Sequence, residues 1–101
     1  MVIEWLGFRV KPELREKFIK EDEQIWTPVL ADSEGFLGKE VWIAPGIEDR
    51  VYFVIRWQTR EQWKSVPVKL LEETEAQFMS AMGKGNYEMI ESKEYQIRKF
   101  P

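Results

Sequence analysis

Residues 50–58 read Arg-Val-Tyr-Phe-Val-Ile-Arg-Trp-Gln, and this stretch decides the fold. β-Branched and aromatic side chains suit a pleated, half-buried surface. Side chains on a strand alternate between faces, so Val51, Phe53, Ile55 and Trp57 share one side while Tyr52, Val54, Arg56 and Gln58 share the other. An antiparallel sheet with one wet face alternates apolar with polar. Here both sides carry large apolar groups, so the strand needs cover on both.

Working outward, Thr59-Arg60-Glu61-Gln62 has the form of a capping box, in which the Thr59 hydroxyl and the Gln62 amide each satisfy the other's backbone donor at a helix start. The helix that follows carries Trp63, Val66, Leu70, Thr74, Phe78 and Ala81 along one face. Pro67 marks a break or a restart in it, and Gly83 and Gly85 end it. Residues 87–100 place Ile90, Tyr95, Ile97 and Phe100 among charges and read as a last strand, with a bulge or a break near Glu91.

In the other direction, Pro45-Gly46 supplies the two central residues of a tight turn that pairs residues 50–58 with a strand at 36–43. Gly35 permits the reversal before it. A long amphipathic helix runs from Pro12, which suits a first helical turn, to about residue 30, with Glu13/Lys17 and Glu16/Lys20 paired at i, i+4. Pro28 either kinks that helix or starts a last short turn capped by Thr27. Residues 1–10 form a first strand, with Val2, Leu6, Phe8 and Val10 opposed to Ile3 and Trp5.

The order β-α-β-β-α-β predicts an α+β, ferredoxin-like domain over residues 1–101, a four-stranded antiparallel sheet with both helices on one face. Helices then cover only half of what the strands must bury. An isologous homodimer covers the rest by using one patch twice, and about 800 Å² per partner is ordinary for such a contact.

Composition narrows the function classes. The chain has 15 basic and 18 acidic residues, a net charge of -3, and no basic stripe to meet phosphates, so a nucleic-acid partner is not expected. The longest apolar run, Val51 to Ile55, is far short of the roughly 20 residues that span a bilayer. With Glu4 where a secretory leader is basic then apolar, the expectation is a cytoplasmic protein with no membrane partner. Cysteine and histidine are both absent, which removes thiolate and imidazole chemistry and leaves no metal-ligand spacing. Glu72, Glu73 and Glu75 read as a solvated helix face.

Gly35-Phe36-Leu37-Gly38 opening the second strand, and Val54-Ile55-Arg56-Trp57-Gln58-Thr59-Arg60-Glu61-Gln62-Trp63 running the third into a capped helix, resemble the dimeric α/β-barrel superfamily typified by antibiotic-biosynthesis monooxygenases. The whole chain, from Val2-Ile3-Glu4-Trp5 to Glu94-Tyr95-Gln96-Ile97-Arg98-Lys99-Phe100, is also similar to a cyanobacterial family of proteins of this length whose function is unassigned. The resemblance implies a homodimer whose two sheets face each other, with a pocket between sheet and helices in each subunit. It also sets limits. Haem-handling branches use a histidine ligand, which this chain lacks. Cofactor-independent quinone-forming branches use Asn, Tyr, Trp or Arg in the pocket, and Asn86, the only asparagine here, falls in the loop after the second helix. No catalytic residue carries over by position, and no cofactor is implied.

The residues themselves nominate candidates. Asp22 falls inside an apolar helical arc, between Phe18, Ile25 and Val29 on one side and Ile19 and Trp26 on the other. It either bonds a backbone amide or an arginine near the helix break, or it is a pocket acid with a raised pKa. Thr74, among Trp63, Leu70, Phe78 and Ala81, either lines a pocket or bonds its own i-4 carbonyl. Arg56 either clamps a ligand carboxylate or pairs with an acid across a dimer. Of the five tryptophans, Trp5, Trp26, Trp42, Trp57 and Trp63, most belong to the core. Trp26 and Trp63, near helix breaks, either pack as core or hold a flat aromatic ligand between helix and sheet, and Phe78 is a further ligand-binding candidate.

Three functions fit these features: a binder of a small apolar or aromatic molecule, a cofactor-independent oxygenase of an activated aromatic with Asp22 as base, and a structural or assembly dimer. A closed cavity between helices and sheet is required by the first two and not by the third.

Overall fold

The computed structural model describes residues 1–99. Its elements are β1 (Val2–Val10), a 3-10 turn (Pro12–Leu14), α1 (Arg15–Ala31), β2 (Phe36–Trp42), β3 (Arg50–Trp57), α2 (Arg60–Lys64), α3 (Val68–Met82) and β4 (Tyr87–Gln96). The strands form one antiparallel sheet in the order β2-β3-β1-β4, the α+β, ferredoxin-like arrangement expected from the element order. Phe100, placed at the end of the last strand by the sequence reading, lies outside the described residues. No helix among the described residues is long and apolar enough to cross a membrane.

Local chemistry explains where the elements begin and end. Pro12 starts a 3-10 turn, and the regular helix begins only at Arg15. Pro28 neither breaks α1 nor restarts it: the helix runs on to Ala31. The proline sits near the end of the helix, where its missing donor deprives one carbonyl, that of Gln24, of its partner. Pro67 acts differently. It is the N-cap residue of α3, with extended backbone angles (φ -59, ψ 133), so the second helix divides into α2 and α3.

The capping box at Thr59 forms by half. Thr59 Oγ1 accepts from the Gln62 N–H at 3.1 Å, while the Gln62 side chain bonds the Thr59 hydroxyl rather than its backbone N–H. Gln62 also closes over Gly35, whose φ of +89 and lack of a Cβ are both needed there, since a Cβ would stand 2.4 Å from Gln62 Oε1. Thr59→Ala is expected to lower stability by about 1 kcal/mol, read from urea denaturation midpoints, with Thr59→Ser near wild type.

Two bulges set the faces of the sheet. On β2, Phe36 pairs with Trp57 and Gly38 with Arg56, leaving Leu37 as the extra residue. On β4, Glu91 pairs with Gly7 and Met89 with Phe8, leaving Ile90 extra, so the irregularity expected near Glu91 is a bulge. The core lies between the helices and one sheet face. There Val51, Phe53, Ile55 and Trp57 of β3 are buried with Phe8 and Val10 of β1, Phe18 and Leu30 of α1, and Phe78 and Met82 of α3. Phe18 is its hub, with Phe8, Phe53, Phe78 and Tyr87 all within 6 Å between ring centroids.

The opposite face carries a second aromatic group. Trp5 meets Trp42 edge-on at 5.7 Å, Tyr52 at 5.2 Å and Tyr95 at 6.5 Å. Trp42 and Tyr95 are 44% and 50% exposed, whereas Val54 on the same face is buried.

Candidate functional site

A half-open cavity of about 680 Å³ lies between the helices and the sheet. Its wall is mostly hydrocarbon and aromatic ring, including Leu6, Phe8, Trp26, Trp57, Trp63 and Phe78, and seven charged residues complete the lining. That composition suits a small organic ligand.

A few polar groups define the chemistry of the wall. Asp22 of α1 and Lys39 of β2 form a buried ion pair, their side chains 3% and 5% exposed. Lys39 Nζ also donates to Thr27 Oγ1 at 3.3 Å and stands 4.3 Å from the centre of the Phe53 ring, so the ammonium is held on every side. Burial raises the Asp22 pKa against the pull of Lys39, and burial lowers the Lys39 pKa against the pull of Asp22. Each charge is costly by itself and tolerable beside the other.

Glu4 of β1 accepts from Trp57 Nε1 at 3.1 Å. Burial raises its pKa too, opposed by that hydrogen bond and by the charges of Lys64 and Lys39. Where α3 meets β4, the Tyr87 hydroxyl donates to Glu75 Oε2 at 2.7 Å, and burial together with that carboxylate pushes the phenol well above its usual range.

The structure gathers four of the six residues nominated from sequence, Asp22, Trp26, Trp63 and Phe78, around this cavity. Asp22 has a lysine as its partner, rather than a backbone amide or an arginine. Thr74 is buried but does not line the cavity: its hydroxyl donates to the Leu70 carbonyl at 2.7 Å, the i-4 bond open to a helical threonine. Arg56 projects from the opposite face of the sheet and pairs with Glu40 at 3.4 Å. Strand alternation puts it there, because its neighbours Ile55 and Trp57 face the core. No group of three or more metal-ligating side chains occurs among the described residues.

Sequence reasoning missed Glu4, Lys39 and Tyr87, and Glu75, read as part of a solvated helix face, is half-buried at the cavity and accepts from the Tyr87 hydroxyl. Glu4 is signalled by alternation alone, as the one charged residue in the series Val2, Glu4, Leu6, Phe8, Val10.

Residues 1–65 match the family model for antibiotic biosynthesis monooxygenases. The chain belongs to that family. The matched span contains β1, α1, the β2–β3 hairpin and α2, and with them Glu4, Asp22, Trp26, Lys39, Trp57 and Trp63. Solved structures share the monooxygenase-family fold over nearly the whole chain. A mutant of SnoaB, a cofactor-independent oxygenase from Streptomyces nogalater, aligns with a TM-score of 0.75 at 12% identity, covering 98% of this chain and 94% of that one. A monooxygenase from the gene ActVA-Orf6 of Streptomyces coelicolor, in complex with nanaomycin D, aligns with a TM-score of 0.76 at 14% identity, covering 99% and 89%. A conserved protein from Methanosarcina mazei aligns with a TM-score of 0.67 at 16% identity, covering 95% and 92%. No curated protein matches the chain in sequence. At these identities the structural likeness concerns the fold of the family.

Proposed function

We propose that this member of the monooxygenase family binds a small, flat, largely apolar molecule between its helices and its sheet. The observation that carries the reading is the cavity of about 680 Å³ itself, mostly apolar in its lining and walled by Trp26, Trp57, Trp63 and Phe78. Trp26 and Trp63 stack on the ligand, Phe78 forms part of the wall beneath it, and the Asp22–Lys39 pair supplies a fixed dipole at its edge. The assembly is a homodimer joined through the aromatic face of the sheet, where Arg56 stands.

Family membership favours a second reading, oxygenation of an activated aromatic without a cofactor. In balanced form, a ring CH₂ and dioxygen give a ring carbonyl and water, one oxygen atom entering the ring carbon and the other leaving with the two hydrogens. Such a step starts by removing a proton from the substrate, and Asp22 and Glu4 are carboxylates at the wall.

Titration with 2-naphthol is expected to quench tryptophan emission saturably, with a matching calorimetric isotherm. A linear, unsaturating decrease would remove the cavity as a binding site. Oxygen uptake measured across a panel of dihydroxyaromatics tests the second reading: consumption above the buffer rate, abolished in Asp22→Asn, supports Asp22 as the base, and no consumption with any member counts against oxygenation.

A further inference from the structure

Glu4 is placed in a way that packing does not explain. It occupies the helix-facing side of β1, where Val2, Leu6, Phe8 and Val10 are otherwise apolar. Among the described residues its carboxylate takes one hydrogen bond, from Trp57 Nε1 to Oε1, and forms no salt bridge.

The neighbouring charges are engaged elsewhere. Lys39 of β2 is held by Asp22 of α1 and by Thr27. Lys64 of α2 lies 4.0 Å over the Trp63 ring. Glu94, the cross-strand partner of Glu4 on β4, is held by Arg60, and the facing residues of β3 are Ile55 and Trp57. An ionised carboxylate has room for about four donors, and since no side-chain oxygen among the described residues is both buried and without a partner, the free oxygen of the half-buried Glu4 is open to an incoming donor. The unused capacity of Glu4 belongs to a group on the cavity wall.

We propose that Glu4 accepts the hydrogen of a ring hydroxyl on the cavity's ligand, which makes the ligand a phenol rather than an ether, a quinone or a bare hydrocarbon. The inference rests on the cavity being the binding site and adds the polar handle by which the ligand is chosen. A phenol brings a donor to the carboxylate and makes a charge-assisted hydrogen bond. An ether or quinone oxygen brings only lone pairs and meets the carboxylate with repulsion. Glu4 is thus the specificity-determining residue. The raised pKa of Glu4 fits it to hold the phenolic proton closely.

The test compares 2-naphthol with 2-methoxynaphthalene by calorimetry. The wild-type protein is expected to favour the phenol about tenfold, the scale of one hydrogen bond to a charged group. In Glu4→Gln the amide oxygen continues to accept from Trp57 and the amide nitrogen turns a donor toward the ligand. The ether is then as welcome as the phenol, and the preference falls to within about twofold.

A second measurement needs no variant. On acidifying the wild type, Glu4, whose pKa burial raises from the ordinary 4.5 of a glutamate, takes up a proton and becomes a donor, and the preference disappears. Equal affinities in the wild type at neutral pH, a preference that survives in Glu4→Gln, or one that ignores acidification each overturn the role of Glu4. Failure of both compounds to bind overturns the cavity reading instead.

Discussion

Lys39→Met is expected to destabilise the protein by about 3–5 kcal/mol at neutral pH, measured by urea denaturation. Removing one partner of a buried ion pair strands the other charge with little water to solvate it. Here the stranded group is Asp22, whose side chain is 3% exposed and whose pKa burial already raises with the lysine present. The methionine fills much of the lysine's volume, so the loss reads charge rather than packing. The double variant Lys39→Met with Asp22→Leu is expected to recover most of the loss, because an apolar pair in place of a buried ion pair is often neutral or better. A double variant as unstable as the single one would show that Lys39 contributes through shape and not through Asp22.

The same variant carries a pH signature whose sign follows from linkage. In Lys39→Met the folded-state pKa of Asp22 lies above its unfolded value, so between the two the native state binds more protons and stability falls as pH rises. The penalty is absent below the unfolded value, near the ordinary 3.8 of an aspartate. It grows as pH climbs through the folded-state value and is constant above that. The stability gap between variant and wild type should therefore narrow on acidification, and a gap that stayed constant or widened would contradict a buried, stranded carboxylate.

Much of this architecture is legible in the chain, and the half of the buried ion pair that is not, Lys39, is hidden by one physical cause. Strand alternation in residues 50–57 gives the two faces of the sheet correctly, because β3 pairs on both sides without an inserted residue of its own. The same rule fails on β2. Counting by twos from Phe36, which packs edge-on against Trp57, sends Lys39 to the face away from the helices. The bulge at Leu37 shifts the phase by one residue, pairs Lys39 with Ile55 on the helix side, and delivers its ammonium to Asp22.

Asp22 is therefore visible from its own helix, while its partner is hidden by a backbone irregularity that leaves no compositional mark. Glu4 is different: regular pairing with Ile55 on one side and Glu94 on the other makes its orientation readable. Arg56 and Thr74 stand out in the sequence for being polar on otherwise apolar faces. Their partners, Glu40 across the strand pair and the Leu70 carbonyl one turn back, satisfy them locally.

Trp42→Glu is expected to weaken self-association of the chain about 30-fold or more, the scale of losing a central aromatic anchor worth about 2 kcal/mol. The face opposite the helices carries Trp5, Trp42, Tyr52 and Tyr95. It also holds a shallow hollow of about 310 Å³, which Trp5, Trp42 and Tyr95 line together with Ile3, Val54 and Arg56. An exposed aromatic patch rimmed by charge marks an interaction surface, and a two-fold contact lets each copy fill the other's hollow with the same rings. Trp42 lies at the end of edge strand β2 with its indole donating to Glu40 at 2.9 Å. A glutamate there sets two carboxylates side by side on the contact surface, with little consequence for a side chain already 44% exposed within one chain. The wild-type protein should sediment at micromolar concentration as twice the 12.1 kDa of a single chain. The variant should dissociate on dilution while keeping its circular dichroism spectrum. A stable wild-type particle of 12.1 kDa would end the case for the dimer, and a variant that stays paired would move the contact to another surface.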